Sequence, residues 1–200
     1  MLKRITAVLA IWMFAIVSAY ATPADEAKNI VKQTANDVFA AIEKDRALVD
    51  ADVNHLYSLV GSIVIPHFDF GKMSRKVVDK KTWKAASKEL RAEFIQAFRA
   101  YLVRTYSTAL IKFDIDKITY DRPRKNGKYI LVRTTVHLKR TTPVPIQYRL
   151  YKNKSKEWKV TDIVVNGISL ITNRQGTYKK IAQKKGLAGL IAVLSKNSKS

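Results

Sequence analysis

The stretch Gly167-Ile168-Ser169-Leu170-Ile171 holds the serine whose neighbours come nearest to a catalytic motif. It is one glycine short of the G-x-S-x-G elbow of a hydrolase, where small residues on both sides permit a strained backbone and close packing. Ile171 fills the second glycine position. A hydrolase of that class also needs its acid and histidine after the serine, yet none of the three histidines, His55, His67 and His137, follows Ser169. A turn and a cap fit better: Asn166-Gly167 allows positive φ at the end of a strand, and Ser169 or Thr172 accepts from free backbone N–H groups as a helix begins.

The remaining candidates for chemistry are as thin. The histidines lie far apart with no acidic or histidine neighbour at metal-ligand spacing. His137 falls on the outward face of a strand with Arg133 and Lys139. Asp114 and Asp116 share a strand face, which a solvated surface explains as well as a carboxylate pair does. No phosphate-binding glycine loop or Walker sequence occurs, so hydrolysis of ATP by a P-loop is excluded. The expectation is a protein that is not an enzyme and has no metal and no cofactor.

The elements that would position these residues follow from periodicity. Ala24 to Asp45 suits an amphipathic helix, with Ile30, Thr34, Val38 and Ala41 or Ile42 at helical spacing. A second helix spans Val53 to Val64 and stops before Pro66. Ser87 caps the longest helix, Lys88 to Ile111, with Glu89 in its first turn where the helix dipole favours an acid. Leu90, Phe94, Phe98, Tyr101 and Thr105 form one stripe, widened by Ile95, Leu102, Tyr106 and Leu110. So broad an apolar surface implies two packing partners or a cavity beside the helix.

After Lys112 the period becomes two. Phe113 to Asp121, Tyr129 to Lys139, Val144 to Tyr151 and Glu157 to Val165 read as four strands, with Arg122 to Gly127 as a turn. In the second strand Ile130, Val132, Thr134, Val136 and Leu138 face inward; in the third, Val144, Ile146, Tyr148 and Leu150. The fourth shifts phase at Asp162, which a bulge explains. Short connections make an antiparallel meander. Helices over Asn173 to Lys185 and Leu187 to Lys196 close an α+β fold, with helices on one face of the sheet.

Lys3 and Arg4, the apolar run Ile5 to Val17 and Ser18-Ala19-Tyr20-Ala21 form a signal peptide cleaved after Ala21. The run is shorter than the ~20 residues that span a bilayer. Residues 22–200 are then one exported domain, with 35 basic against 16 acidic residues and no cysteine for a disulfide or a lipid anchor. Such a charge balance favours anionic partners, unless it serves only to keep the chain soluble. For an exported chain those partners are lipid headgroups and acidic proteins rather than nucleic acid.

Three blocks, "PHFDFGKMSRKVVD", "TWKAASKELRAEFIQAFRAYLVRTYSTAL" and, after the meander, "EWKVTDIVVNGISLITNRQGTY", occur in one order. Together they make the chain resemble the MlaC and toluene-tolerance family of periplasmic phospholipid-binding proteins, from about Ile30 to about Leu194. Val77-Val78-Asp79-Lys80-Lys81 departs from the Leu-Gly pair usual there. The resemblance implies a nuclear-transport-factor-2-like curved sheet of four strands under helices, with an internal hydrophobic cavity for phospholipid as cargo. It also implies a monomer that touches membranes transiently. Its partners would be an inner-membrane ABC transporter with a ring-forming lipid-binding subunit and an outer-membrane lipoprotein bound to a porin. Relatives tied to hopanoid synthesis leave the lipid class open.

The residues expected to line such a cavity are Phe94, Phe98, Tyr101, Leu102, Tyr106 and Leu110 on the long helix. The sheet adds Ile130, Val132, Val136, Leu138, Ile146, Tyr148 and Leu150, while Phe68, Phe70, Ile168 and Ile171 close its ends. About half should touch lipid, the rest being ordinary core. Competing readings are an exported enzyme on the same scaffold, which needs a titratable group inside, and a polyanion-binding module using Tyr, Trp and Arg.

Overall fold

The computed structural model describes residues 22–197; the signal peptide and its cleavage site lie outside them. Helix α1 (Pro23–Lys44) starts at a capping box in which Asp25 N donates to Thr22 Oγ1 (3.2 Å) and Thr22 N to the Asp25 carboxylate (3.3 Å). Short α2 (Arg46–Ala51) and α3 (Val53–Ile63) follow, and a 3-10 turn at Ile65–His67 contains the proline that ends them. Helices α4 (Phe70–Val77) and α5 (Lys80–Ala85) are capped by Asp69 and Asp79. The unusual Val77-Val78-Asp79 stretch is thus a working joint: both valines are buried, and Asp79 accepts from Thr82 N at 2.9 Å.

Ser87 caps α6 (Lys88–Ser107) as its position predicts, accepting from Leu90 N at 3.1 Å. A one-turn α7 (Ala109–Lys112) leads into β1 (Ile115–Tyr120), β2 (Arg124–Asn126), β3 (Tyr129–Leu138), β4 (Val144–Lys152), β5 (Trp158–Val165) and the two-residue β6 (Ile168–Ser169). These form one antiparallel sheet in the order β1-β3-β4-β5-β6, with β2 also on β3. The sheet therefore has six strands, not four. The segment read as a turn at 122–127 contains β2, because Pro123, which has no N–H to give a ladder, splits one edge strand in two. The second added strand is the short return of β6 along the end of β5.

The register aligns the inward residues across strands: Val132 with Tyr148, Thr134 with Ile146 and Val136 with Val144. On the next pair Tyr148 meets Ile163, while Arg149 meets Asp162 and Leu150 meets Val160, leaving Thr161 as the extra residue of the expected bulge.

Two apolar clusters flank this sheet. In the smaller, Ala27 and Val31 of α1 pack on Ile130, Val132, Leu150 and Val160. The larger joins α3, α4, α6 and α8 (Leu170–Asn197) around Phe94, Phe98, Tyr178, Leu190 and Leu194. Helix α8 is broken at Gly186, whose φ of 66° favours glycine, so the two helical stretches read at 173–185 and 187–196 are its halves. Coverage of the sheet is not confined to one face. Tyr151, on the outward side, donates to Asp69 at the start of α4 and lies under Lys72, whose Nζ is 3.1 Å from the ring centre.

Candidate functional site

Ser169 is a cap. Its hydroxyl donates to both Asp162 oxygens at 2.9 Å and accepts from Ile171 N (3.2 Å) and Thr172 N (3.1 Å). With its proton directed at a buried carboxylate and its lone pairs at the first turn of α8, it has no base to activate it. The other polar candidates are structural too. Asp114 precedes β1 and pairs with Lys139 at 2.9 Å, both exposed, while Asp116 sits at an irregularity in the β1–β3 register. His137 contacts Thr119 Oγ1 at 3.2 Å on the outward face. His55 has an acidic partner that its sequence neighbours did not disclose, Asp45 at 2.8 Å, tying the start of α3 to the α1–α2 joint. Among the described residues no group of acids and histidines could hold a metal ion.

The prominent internal feature is a cavity of about 430 Å³ between α1, the C-terminal part of α6 and the inner sheet face, a volume typical of small-molecule sites. Its wall contains no charged side chain. The sheet contributes Val136, Leu138, Val144, Ile146, Tyr148, Ile163 and Val165. Helix α6 and its extension contribute Leu102, Val103, Tyr106, Ser107, Ala109 and Leu110; Phe68, Phe70 and Met73 close one side. Ala109 and Phe113 are the exposed members of the wall, so the cavity opens past α7.

Helix α1 forms the remaining wall with Ile30, Val31, Thr34, Val38 and Phe39. Its N-terminal turns are fastened to the sheet: Trp158 Nε1 donates to Glu26 at 2.9 Å, Lys152 pairs with Glu26 at 2.6 Å, and Lys28 Nζ donates to Tyr120 O at 3.2 Å. The carboxyl of Glu26 is held below the usual range by its bonds to Lys152 and Trp158. The middle of the helix is thereby carried across the cavity.

Burial raises the Tyr148 phenol to about 12, offset in part by a bond to Thr134. Its remaining surface belongs to the cavity wall, not to bulk water. Burial also lowers the pKa of His67, helped by the nearby Lys159 charge, so its imidazole favours the neutral form and suits an uncharged lining.

Of the residues anticipated for the cavity, Phe68, Phe70, Leu102, Tyr106, Leu110, Val136, Leu138, Ile146 and Tyr148 are on its wall. Phe94, Phe98 and Tyr101 are not; they point into the helical core, where Phe98 stacks on Phe94 and meets Tyr178 edge-on at 6.2 Å. Ile130, Val132 and Leu150 are covered by the first turns of α1. Ile171 is buried against helices, and Ile168, on the β6 hairpin, is 56% exposed. The α1 wall was missed as a wall although its stripe at Ile30, Thr34 and Val38 was evident, since a stripe does not reveal what it faces.

A family model for MlaC protein matches residues 32–196. The chain belongs to the MlaC family. Curated relatives include an MlaC of Haemophilus influenzae, the binding protein of an intermembrane phospholipid transport system. It is 25% identical over 84% of this chain and 80% of its own length. The toluene tolerance protein ttg2D of Pseudomonas putida is 26% identical over 71% and 66% respectively. A solved phospholipid-binding protein from Ralstonia solanacearum, in complex with a phospholipid, superposes with a TM-score of 0.77 at 27% identity, covering 86% of this chain and 97% of that one. The MlaC resemblance read from the three sequence blocks is therefore correct, and the mixed architecture is shared with a protein that binds phospholipid.

Proposed function

We propose that this MlaC-family protein is a soluble periplasmic carrier that takes the acyl chains of a diacyl phospholipid into the cavity and moves them between the inner and outer membranes. The observation that carries the reading is a wall without charge between α1, α6 and an apolar sheet face, in a chain similar to one solved with a phospholipid. We read its sheet and helices as a nuclear-transport-factor-2-like cone.

Energetics explain why a carrier is needed. At ~0.8 kcal/mol per methylene, a lipid with about thirty of them loses roughly 24 kcal/mol on entering water. A cavity matched to the chains offsets that loss, and for the same reason release requires a partner. The sequence contains no P-loop, so we assign the driving force to an inner-membrane ABC transporter and its ring-forming subunit, with an outer-membrane lipoprotein–porin complex at the other end. Export rests on the signal peptide at residues 1–21.

Native mass spectrometry of protein purified from the periplasm, followed by extraction of the bound species, tests this reading. A stoichiometric phospholipid is expected. An empty protein that takes up no lipid from vesicles would overturn it.

A further inference from the structure

The cavity is apolar but not featureless. Ser107, in the last turn of α6, is 3% exposed and lines it. Its Oγ has no hydrogen-bond partner, and among the described residues no other buried side-chain oxygen left without one belongs to the wall. A helical serine ordinarily satisfies itself on a carbonyl one turn back; this one does not, and a buried hydroxyl left unpaired is costly. The neighbouring Tyr106 is already bonded to Arg174. Ser107 is therefore a spare donor in the cavity wall, two residues before the exposed Ala109 of the rim.

Resting on the carrier reading above, we propose that Ser107 Oγ donates a hydrogen bond to an ester carbonyl oxygen of the cargo and so selects acyl-ester lipids over ether lipids. Two constraints choose the ester. The wall has no cation, so drawing a phosphate down to Ser107 would bury an unpaired anion, and the headgroup stays outside in water. The ester carbonyls are the acceptors next in line along the molecule, and they enter just inside the rim when the chains fill the space beyond.

The test compares binding of dimyristoyl phosphatidylglycerol and its dialkyl-ether counterpart of equal chain length, both presented in vesicles, to the full mature chain and to Ser107→Ala. The unsubstituted protein should prefer the ester by about three- to tenfold, the worth of one neutral hydrogen bond, and Ser107→Ala should bind both equally. Without lipid, Ser107→Ala should melt no lower, because it removes a buried polar atom that had no partner. An ester preference unchanged in Ser107→Ala, or absent from the unsubstituted protein while both lipids bind, overturns the assignment and leaves the carrier intact. Failure of both lipids to bind the unsubstituted protein overturns the carrier reading and this inference with it.

Discussion

Helix α6 runs through two different interiors. Its earlier turns enter a filled core, where Phe94 and Phe98 are wholly buried against α4 and α8. Its last turns, with Val103, Tyr106 and Ser107, face a void closed by the sheet and α1. Both interiors are apolar, so hydrophobicity does not separate them. What separates them is whether a neighbour fills the space: the α8 aromatics interlock with Phe98, while α1, fastened at its start by Glu26 and Lys28, spans the sheet without descending onto it. A site that must empty and refill needs the second kind of packing, and a fold needs the first to tolerate it.

The difference can be broken from the core side first. Phe98→Ala should cost about 3–5 kcal/mol of stability, the usual penalty for truncating a buried aromatic, seen as a large drop in the chemical-denaturation midpoint. From the cavity side, Val136→Asp should leave the empty protein folded, because water entering the cavity hydrates the carboxylate. It should cut lipid retention at least about a hundredfold, since an acyl chain against an unpaired charge costs several kcal/mol. A folded variant that keeps lipid would remove Val136 from the contact surface.

Ile146→Ala sharpens the contrast. Fewer neighbours surround Ile146 than Phe98, so the loss of stability should be about 1–2 kcal/mol, at or below the low end for large-to-small changes. Ser169→Ala removes the α8 cap and leaves the Asp162 carboxylate short of a donor; about 1 kcal/mol is expected, checked by equilibrium unfolding. A loss near zero would mean that water replaces the hydroxyl.

The smallest effect concerns His67. Its folded pKa lies below the unfolded value, so the unfolded chain binds more protons and stability falls with acidification. The contribution is complete above about pH 6.5, the unfolded value, and is lost as pH drops toward the folded one. His67→Gln should flatten that part of the stability profile.

Sequence periodicity disclosed much of the scaffold because each signal had a local cause. The change of period at Lys112, the phase shift at Asp162 and the glycine between the two halves of α8 all reflect backbone geometry over a few residues. The Ser169 cap was legible for the same reason. Division of the α6 stripe between core and cavity was not, since Phe98 and Tyr106 are both large aromatics on a broad apolar surface. Only the path of α1 and α8 decides which of them has a neighbour. The β1–β2 split at Pro123 and the Asp45–His55 tie likewise depend on tertiary placement.

The most direct test places a reporter inside the protein's cargo. A phospholipid with a nitroxide midway along one chain is loaded, and paramagnetic broadening of methyl NMR signals is recorded. The account predicts strong broadening at Val136, Leu138 and Ile146, with Leu190 and Leu194 unaffected. Broadening concentrated at those two leucines, or spread over surface residues with Ile146 sharp, would contradict it.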